Sequence, residues 1–318
     1  MPLIETQHYT APFYLFDRHL ETIYANVARK PAPVNYEREI FHTSDGDIMA
    51  LDWLRNDSNR LVVLAHGLEG DSRRKYMVGM AGYFHQRGWN ALAWNCRSCG
   101  GLMNKLPKMY HHGETDDIGE LIDYVAGQKH FDKIALIGFS MGGSIILKYL
   151  AAARRLSPKL IAAVAISTPC NLKDAARQTL KPLNRIYFSR FLGSLKRKMQ
   201  MKAAILPHVA SRLHLIRNFD DLIRLYTLPV YGFKSVDEFY EQASAGSYLR
   251  SVKLPSLIIN AKNDPLLTPS CMPADAAKEN PYLFLDMPDR GGHVGFALHG
   301  KDYTMAERRS FDFIQAFL

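Results

Sequence analysis

The chain has 318 residues, 47% of them hydrophobic, enough to bury a large core and unlike a disordered or fibrous protein. Its longest uncharged and largely apolar run, residues 134–147, falls short of the roughly 20 residues needed to cross a bilayer. The formal charge of +9 raises nucleic acid or an anionic surface as a partner, but no RNP, zinc-finger or basic-zipper pattern accompanies it, so no nucleic acid is expected.

The opening Met1-Pro2-Leu3-Ile4-Glu5 carries neither the basic nor the apolar region of a secretory signal. Apolar β-prone runs at 36–43 and 47–54 flank Ser44-Asp45-Gly46, a hairpin signal. Buried-strand runs follow at 61–65, 90–94, 133–137, 160–166, 256–260 and 282–285. Helical spacing lies between most of them, at 73–87, 115–127 and 141–153, with a closing helix near 306–317. This alternation predicts an α/β fold: a mostly parallel sheet covered by helices on both faces and led by an N-terminal antiparallel hairpin. Residues 171–250 break the alternation with helical spacing and no convincing strand. They are expected to form a helical cap inserted into a core made of 1–170 and 251–318.

Gly138-Phe139-Ser140-Met141-Gly142 follows the 133–137 strand directly and precedes a helix, the context of a G-x-S-x-G nucleophile elbow. A serine at neutral pH needs a base held by a third group, and in hydrolases built this way the chain order is Ser, acid, His. Asp264, just after the 256–260 strand, and His293, in the glycine-flanked loop after the next strand, fit that order. Asp174 is the second choice of acid; Asp286 and Asp289 lie too close to the histidine loop. The amides of Met141, at the helix start, and Leu68, in His66-Gly67-Leu68-Glu69-Gly70 after the first parallel strand, are the expected oxyanion donors.

Four cysteines make no disulfide framework in a chain of this length, which points to a reducing cytoplasm. Cys96 and Cys99 form a C-x-x-C pair, but Gly100-Gly101 and a loop follow where a redox motif needs a helix N-terminus. A zinc site would recruit His111 and His112, whose adjacency is not ligand spacing. Small residues at a strand end are the expectation, and no metal or cofactor is implied.

Together these residues resemble the α/β-hydrolase family that includes bacterial YheT-like proteins and eukaryotic abhydrolase-domain proteins. The likeness rests on His66 to Gly70 (HGLEG), Asn95 to Gly100 (NCRSCG), Tyr110-His111-His112-Gly113, Phe219-Asp220-Asp221, Tyr231-Gly232-Phe233, Tyr240, and His19-Leu20-Glu21-Thr22 near the start. Ser98 stands where the family usually has Gly, and Ser144 where it tends to have Asn. The resemblance implies the α/β-hydrolase fold and a serine esterase acting on carboxylic esters of short to medium acyl chains. Acyl transfer to alcohols and thioesterase or lipase activity on the same triad are alternatives. A non-catalytic binding protein on this fold is a remote one. Some eukaryotic relatives carry an N-terminal membrane anchor, which is not expected in this chain.

The charge is concentrated. Residues 171–250 hold 14 Lys+Arg against 6 Asp+Glu, including Lys196-Arg197-Lys198. A cap this basic is either a solvated helical face or a lid that attracts anionic substrates or an anionic membrane surface.

Overall fold

The computed structural model describes residues 9–318; the opening Met1-Pro2-Leu3-Ile4-Glu5 lies outside them. The strands are β1 (Glu37–His42), β2 (Ile48–Leu54), β3 (Arg60–Ala65), β4 (Asn90–Asn95), β5 (Lys133–Phe139), β6 (Leu160–Ile166), β7 (Ser256–Ile259) and β8 (Leu283–Asp286). They form one eight-stranded sheet in the order β1-β2-β4-β3-β5-β6-β7-β8. β1 pairs antiparallel with β2 and β2 antiparallel with β4, while every later pairing is parallel. The central strands read as unbroken Leu/Ile/Val/Ala runs because both faces are covered; at the edge, β1 alternates half-buried and exposed residues.

Helices close both faces. On one, α2 (Lys75–His85) and the closing helix Met305–Gln315 pack Met77, Met80, Phe84 and Ile314 on Val62, Leu64 and Ala91. On the other, α3 (Asp116–Gly127) and α4 (Met141–Ala152) pack Ile118, Ile122, Ile145 and Tyr149 on Leu61, Val63 and Leu136. Truncating a buried Ile or Leu here to Ala would cost about 2–5 kcal/mol.

Between β6 and β7 the chain is helical, including α5 (Leu172–Gln178) and α6 (Arg185–Met201). The ends of this segment are tied together: Gly246 N–H donates to Cys170 O at 2.8 Å and Leu172 N–H to Ser244 Oγ at 3.0 Å.

The sequence reading missed two helices. One is Ala274–Glu279, between β7 and β8; the other, here α1, is Arg18–Ile23. Each has only six residues, too few for a periodicity to emerge, and α1 carries its apolar residues on the outside.

Candidate active site

Ser140, Asp264 and His293 come from loops after β5, β7 and β8, at the carboxyl end of the parallel strands, where ligands of open α/β sheets bind. Ser140 has φ 52° and ψ −116°, a strained conformation for a residue with a side chain. The surroundings enforce it. Ser140 N–H donates to Ile166 O at 2.8 Å. Gly142 lies so close to β3 that a Cβ there would stand 2.3 Å from Ala65 O. The tip of the turn therefore presents Oγ while the helix behind it packs against the sheet.

His293 Nε2 lies 3.0 Å from Ser140 Oγ, and His293 Nδ1 lies 2.8 Å from Asp264 Oδ2. Because the carboxylate accepts at Nδ1, the neutral ring carries its proton there and leaves Nε2 free to accept from the serine. Asp264 is buried and its other oxygen accepts Leu266 N–H at 2.8 Å, which sets the carboxylate plane. Asp174 is elsewhere. Its carboxylate accepts from Ser270 Oγ at 2.7 Å and from Asn171 Nδ2 at 3.1 Å. Asp286 pairs with Arg309 and Asp289 with Lys262.

Gly67 brings the 66–70 loop against the elbow; a Cβ on it would be 3.2 Å from Ser140 Cβ. Among the described residues neither Leu68 N–H nor Met141 N–H has a partner, and Met141 opens α4, where helix amides are unpaired. His66 is buried; its Nδ1–H donates to Gly67 O at 2.7 Å and its Nε2 accepts Cys96 N–H at 3.1 Å, so it shapes the loop. Glu69 has φ 55°, and its amide donates to Tyr110 Oη at 3.3 Å. Its carboxylate accepts from the Tyr110 and Ser194 hydroxyls and from Lys198 Nζ at 2.8 Å, which ties α6 to the loop. Burial opposes the charge on Lys198, but contacts with Cys99 and Glu69 outweigh it and hold its pKa above the ordinary lysine value.

The sequence reading also missed the support behind His293. Thr22 of α1 accepts His293 N–H at 2.9 Å, and Glu21 accepts Asn263 Nδ2 at 2.7 Å and Gly291 N–H at 3.1 Å. Arg290 pairs with Glu21 at 2.8 Å. Gly292, at φ 57°, makes room: a Cβ on it would meet Thr22 Oγ1 at 2.8 Å. The His-Leu-Glu-Thr stretch was the available signal, but its spacing to His293 gives no hint of contact.

Two cavities meet at Ser140 and His293. One, of about 120 Å³, runs under the helical segment and is mostly apolar, lined by Leu68, Leu172, Phe191, Leu195, Phe219 and Leu222 among others. His111 and His112 line it too, pushed down to about 3 and about 4 by burial, and in His111 also by the Lys148 charge. The second, of about 100 Å³, opens past Ile23, Val27, Tyr187 and Arg190. Arg97, Ser98, Ser144 and the four cysteines line neither cavity. Arg97 pairs with Asp45 at 2.8 Å, Asp47 at 3.0 Å and Asp117 at 2.6 Å, joining the first hairpin to α3. Ser98 sits at φ 60°, a conformation that glycine adopts without strain. Ser144 Oγ is buried with no partner among the described residues. Cys96, Cys99, Cys170 and Cys271 are all free and buried.

The sequence model of the family described as serine aminopeptidase, S33, matches residues 56–278. The chain is 30% identical to Escherichia coli K12 YheT over 87% of this chain and 84% of that one. It belongs to the YheT-like family of α/β-hydrolases. This hydrolase is also similar to human Phospholipase ABHD3, at 27% identity over 99% of this chain and 80% of that protein. A yeast monoacylglycerol lipase is 27% identical over 76% of this chain and 56% of its own. Among solved structures the Pyrococcus furiosus esterase Pf2001 superposes with a TM-score of 0.60 at 19% identity, covering 89% of this hydrolase and 93% of that chain, a likeness of fold.

Proposed function

We propose that this hydrolase cleaves carboxylic esters through an acyl-enzyme on Ser140, with Asp264 and His293 completing a triad. The observation that carries the reading is the aligned pair of contacts, Ser140 Oγ to His293 Nε2 at 3.0 Å and His293 Nδ1 to Asp264 Oδ2 at 2.8 Å. As Oγ attacks the ester carbonyl carbon, its proton passes to Nε2, and Asp264 stabilises the imidazolium. The amides of Leu68 and Met141 hold the oxyanion, each contributing about 3 kcal/mol by analogy with measured donors. Collapse breaks the bond to the alcohol oxygen, which leaves with the proton from Nε2. Water then attacks the acyl carbon and gives a proton to His293, which passes it to Oγ as the acyl–oxygen bond breaks, releasing the acid and restoring Ser140.

In this reading residues 171–250 are the cap, and the apolar cavity beneath it takes an acyl chain of short to medium length. The lipase and phospholipase relatives support an ester substrate. Four free buried cysteines support a cytoplasmic location. No helix among the described residues is long and apolar enough to cross a membrane. A fluorophosphonate probe and a panel of esters of graded acyl length test the proposal. Wild type should be labelled and turn over esters, while Ser140→Ala should lose labelling and at least about a thousandfold in kcat. Activity of Ser140→Ala within about tenfold of wild type would overturn the assignment.

A further inference from the structure

Helix α1 is built inside out. Its polar residues Glu21 and Thr22, 1% and 3% exposed, face the fold and hold the His293 loop. Its apolar residues face solvent: Leu20 is 38% exposed, Ile23 40% and, in the π-turn that continues it (Tyr24–Ala28), Val27 66%; Phe16, just before the helix, is 77% exposed. Spacings of three and four put Leu20, Ile23 and Val27 on one stripe, where a surface helix ordinarily carries its polar residues. A second apolar pair adjoins it. Leu183, in the turn Pro182–Asn184 that leads into α6, and Ile186, in its first turn, are 70% and 67% exposed. The two segments touch through His19 and Tyr187, whose rings stack 5.9 Å apart with Nδ1 and Oη at 3.1 Å.

The charge around this face is mainly positive, with half-buried Asp17 capping α1. Arg18, Lys181, Arg185 and Arg190 are all exposed on the same two segments, and no acidic residue occurs between 175 and 219. The face also surrounds an entrance. Ile23, Val27, Tyr187 and Arg190 line the cavity that ends at Ser140 and His293. Lys198 and Lys202 do not belong to it. Lys198 is tied to Glu69, and Lys202 donates to Asn104 O at 2.8 Å and Leu106 O at 2.6 Å.

We infer that the face formed by α1 and the start of α6 docks on an anionic lipid bilayer, presenting the opening above Ser140 to the membrane. Protruding aliphatic and aromatic side chains enter the boundary between headgroups and acyl chains, while flanking cations meet the anionic headgroups. An ester held in the bilayer then reaches Ser140 without crossing bulk water. The route of the substrate rests on the ester-cleaving reading; the docking itself does not.

Sedimentation with vesicles tests it, using phosphatidylcholine alone and phosphatidylcholine with about one-third phosphatidylglycerol. Wild type should bind the anionic vesicles and bind them less as salt cuts the Debye length from about 10 Å to about 3 Å. Leu183→Ser/Ile186→Ser should weaken binding roughly tenfold, and Lys181→Glu/Arg185→Glu should remove the preference for phosphatidylglycerol. Both variants should keep kcat/KM on a soluble short-chain ester within about twofold of wild type, which checks that they fold. Vesicle binding is read without turnover, so a lack of esterase activity would count against Ser140 chemistry and leave the docking result standing. Failure of wild type to bind anionic vesicles at low salt, or wild-type binding by both variants, overturns the inference. So does a change from dimer to monomer in the apolar variant with vesicle binding unaltered, which would assign the face to a second copy.

Discussion

Thr22 Oγ1 accepts the backbone N–H of His293 at 2.9 Å, although 271 residues separate them in the chain. The same hydroxyl donates to Arg18 O at 2.8 Å, so it is fixed on α1 and holds the histidine loop from behind. Thr22→Val keeps the volume and removes the acceptor, leaving a buried N–H unpaired at a cost of about 1–3 kcal/mol. The expected result is a kcat lowered about tenfold with KM little changed, and recovery in Thr22→Ser, which restores the hydroxyl. An equal loss in Thr22→Ser would mean that packing, not the hydrogen bond, is what matters.

Asp264→Asn should lower kcat by about ten-thousandfold, since an amide in that place would favour the wrong tautomer of His293. Asp174→Asn should be mild, because among the described residues its carboxylate accepts side-chain hydrogen bonds from Ser270 and Asn171 and not from His293. Steady-state kinetics of the two variants on one ester decide it; the reverse ranking would remove Asp264 from the proposed triad.

Lys198 and Glu69 are both largely buried, with side chains 15% and 4% exposed, so their attraction is poorly screened by salt. Removing one partner leaves the other charge uncompensated. Lys198→Met should cost about 3 kcal/mol of stability and loosen the loop that carries Leu68. Adding Glu69→Gln should recover part of that loss. Denaturant unfolding of both single variants and the double variant measures the coupling, and a value below about 0.5 kcal/mol would show that the tie contributes little.

His111 makes stability depend on pH. Its pKa is pushed down to about 3 by burial and by Lys148, against about 6.5 in an unfolded chain. Between those values the unfolded chain binds the extra proton, so stability rises with pH there and is lost as pH falls from about 6.5 towards 3. Between pH 7 and pH 5 this one group should remove about 2 kcal/mol. His111→Gln, which keeps an acceptor for Gly113 N–H, should show a correspondingly smaller drop in urea unfolding. Identical drops in variant and wild type would place the acid sensitivity elsewhere.

Much of the fold was legible because local rules write it into local patterns. Unbroken aliphatic runs mark strands buried on both faces, helical spacing marks the layers that cover them, and Ser44-Asp45-Gly46 marks the first hairpin. The elbow was legible for a similar reason: a serine forced to φ 52° between a strand and a helix needs the small residues that flank it. The order Ser140, Asp264, His293 could be read from which loops follow which strands. Pairings between distant segments could not. β2 lies beside β4 with β3 beyond it, and hydrophobic runs do not encode neighbours. The placement of Asp174 away from His293, the tie between Glu69 and Lys198, and the grip of α1 on His293 depend on closure of the whole chain. Six residues of α1 with polar groups inside and apolar groups outside look like nothing in isolation. Only the tertiary structure, which brings Glu21 and Thr22 against the loops of Asn263 and His293, gives that pattern its physical reason.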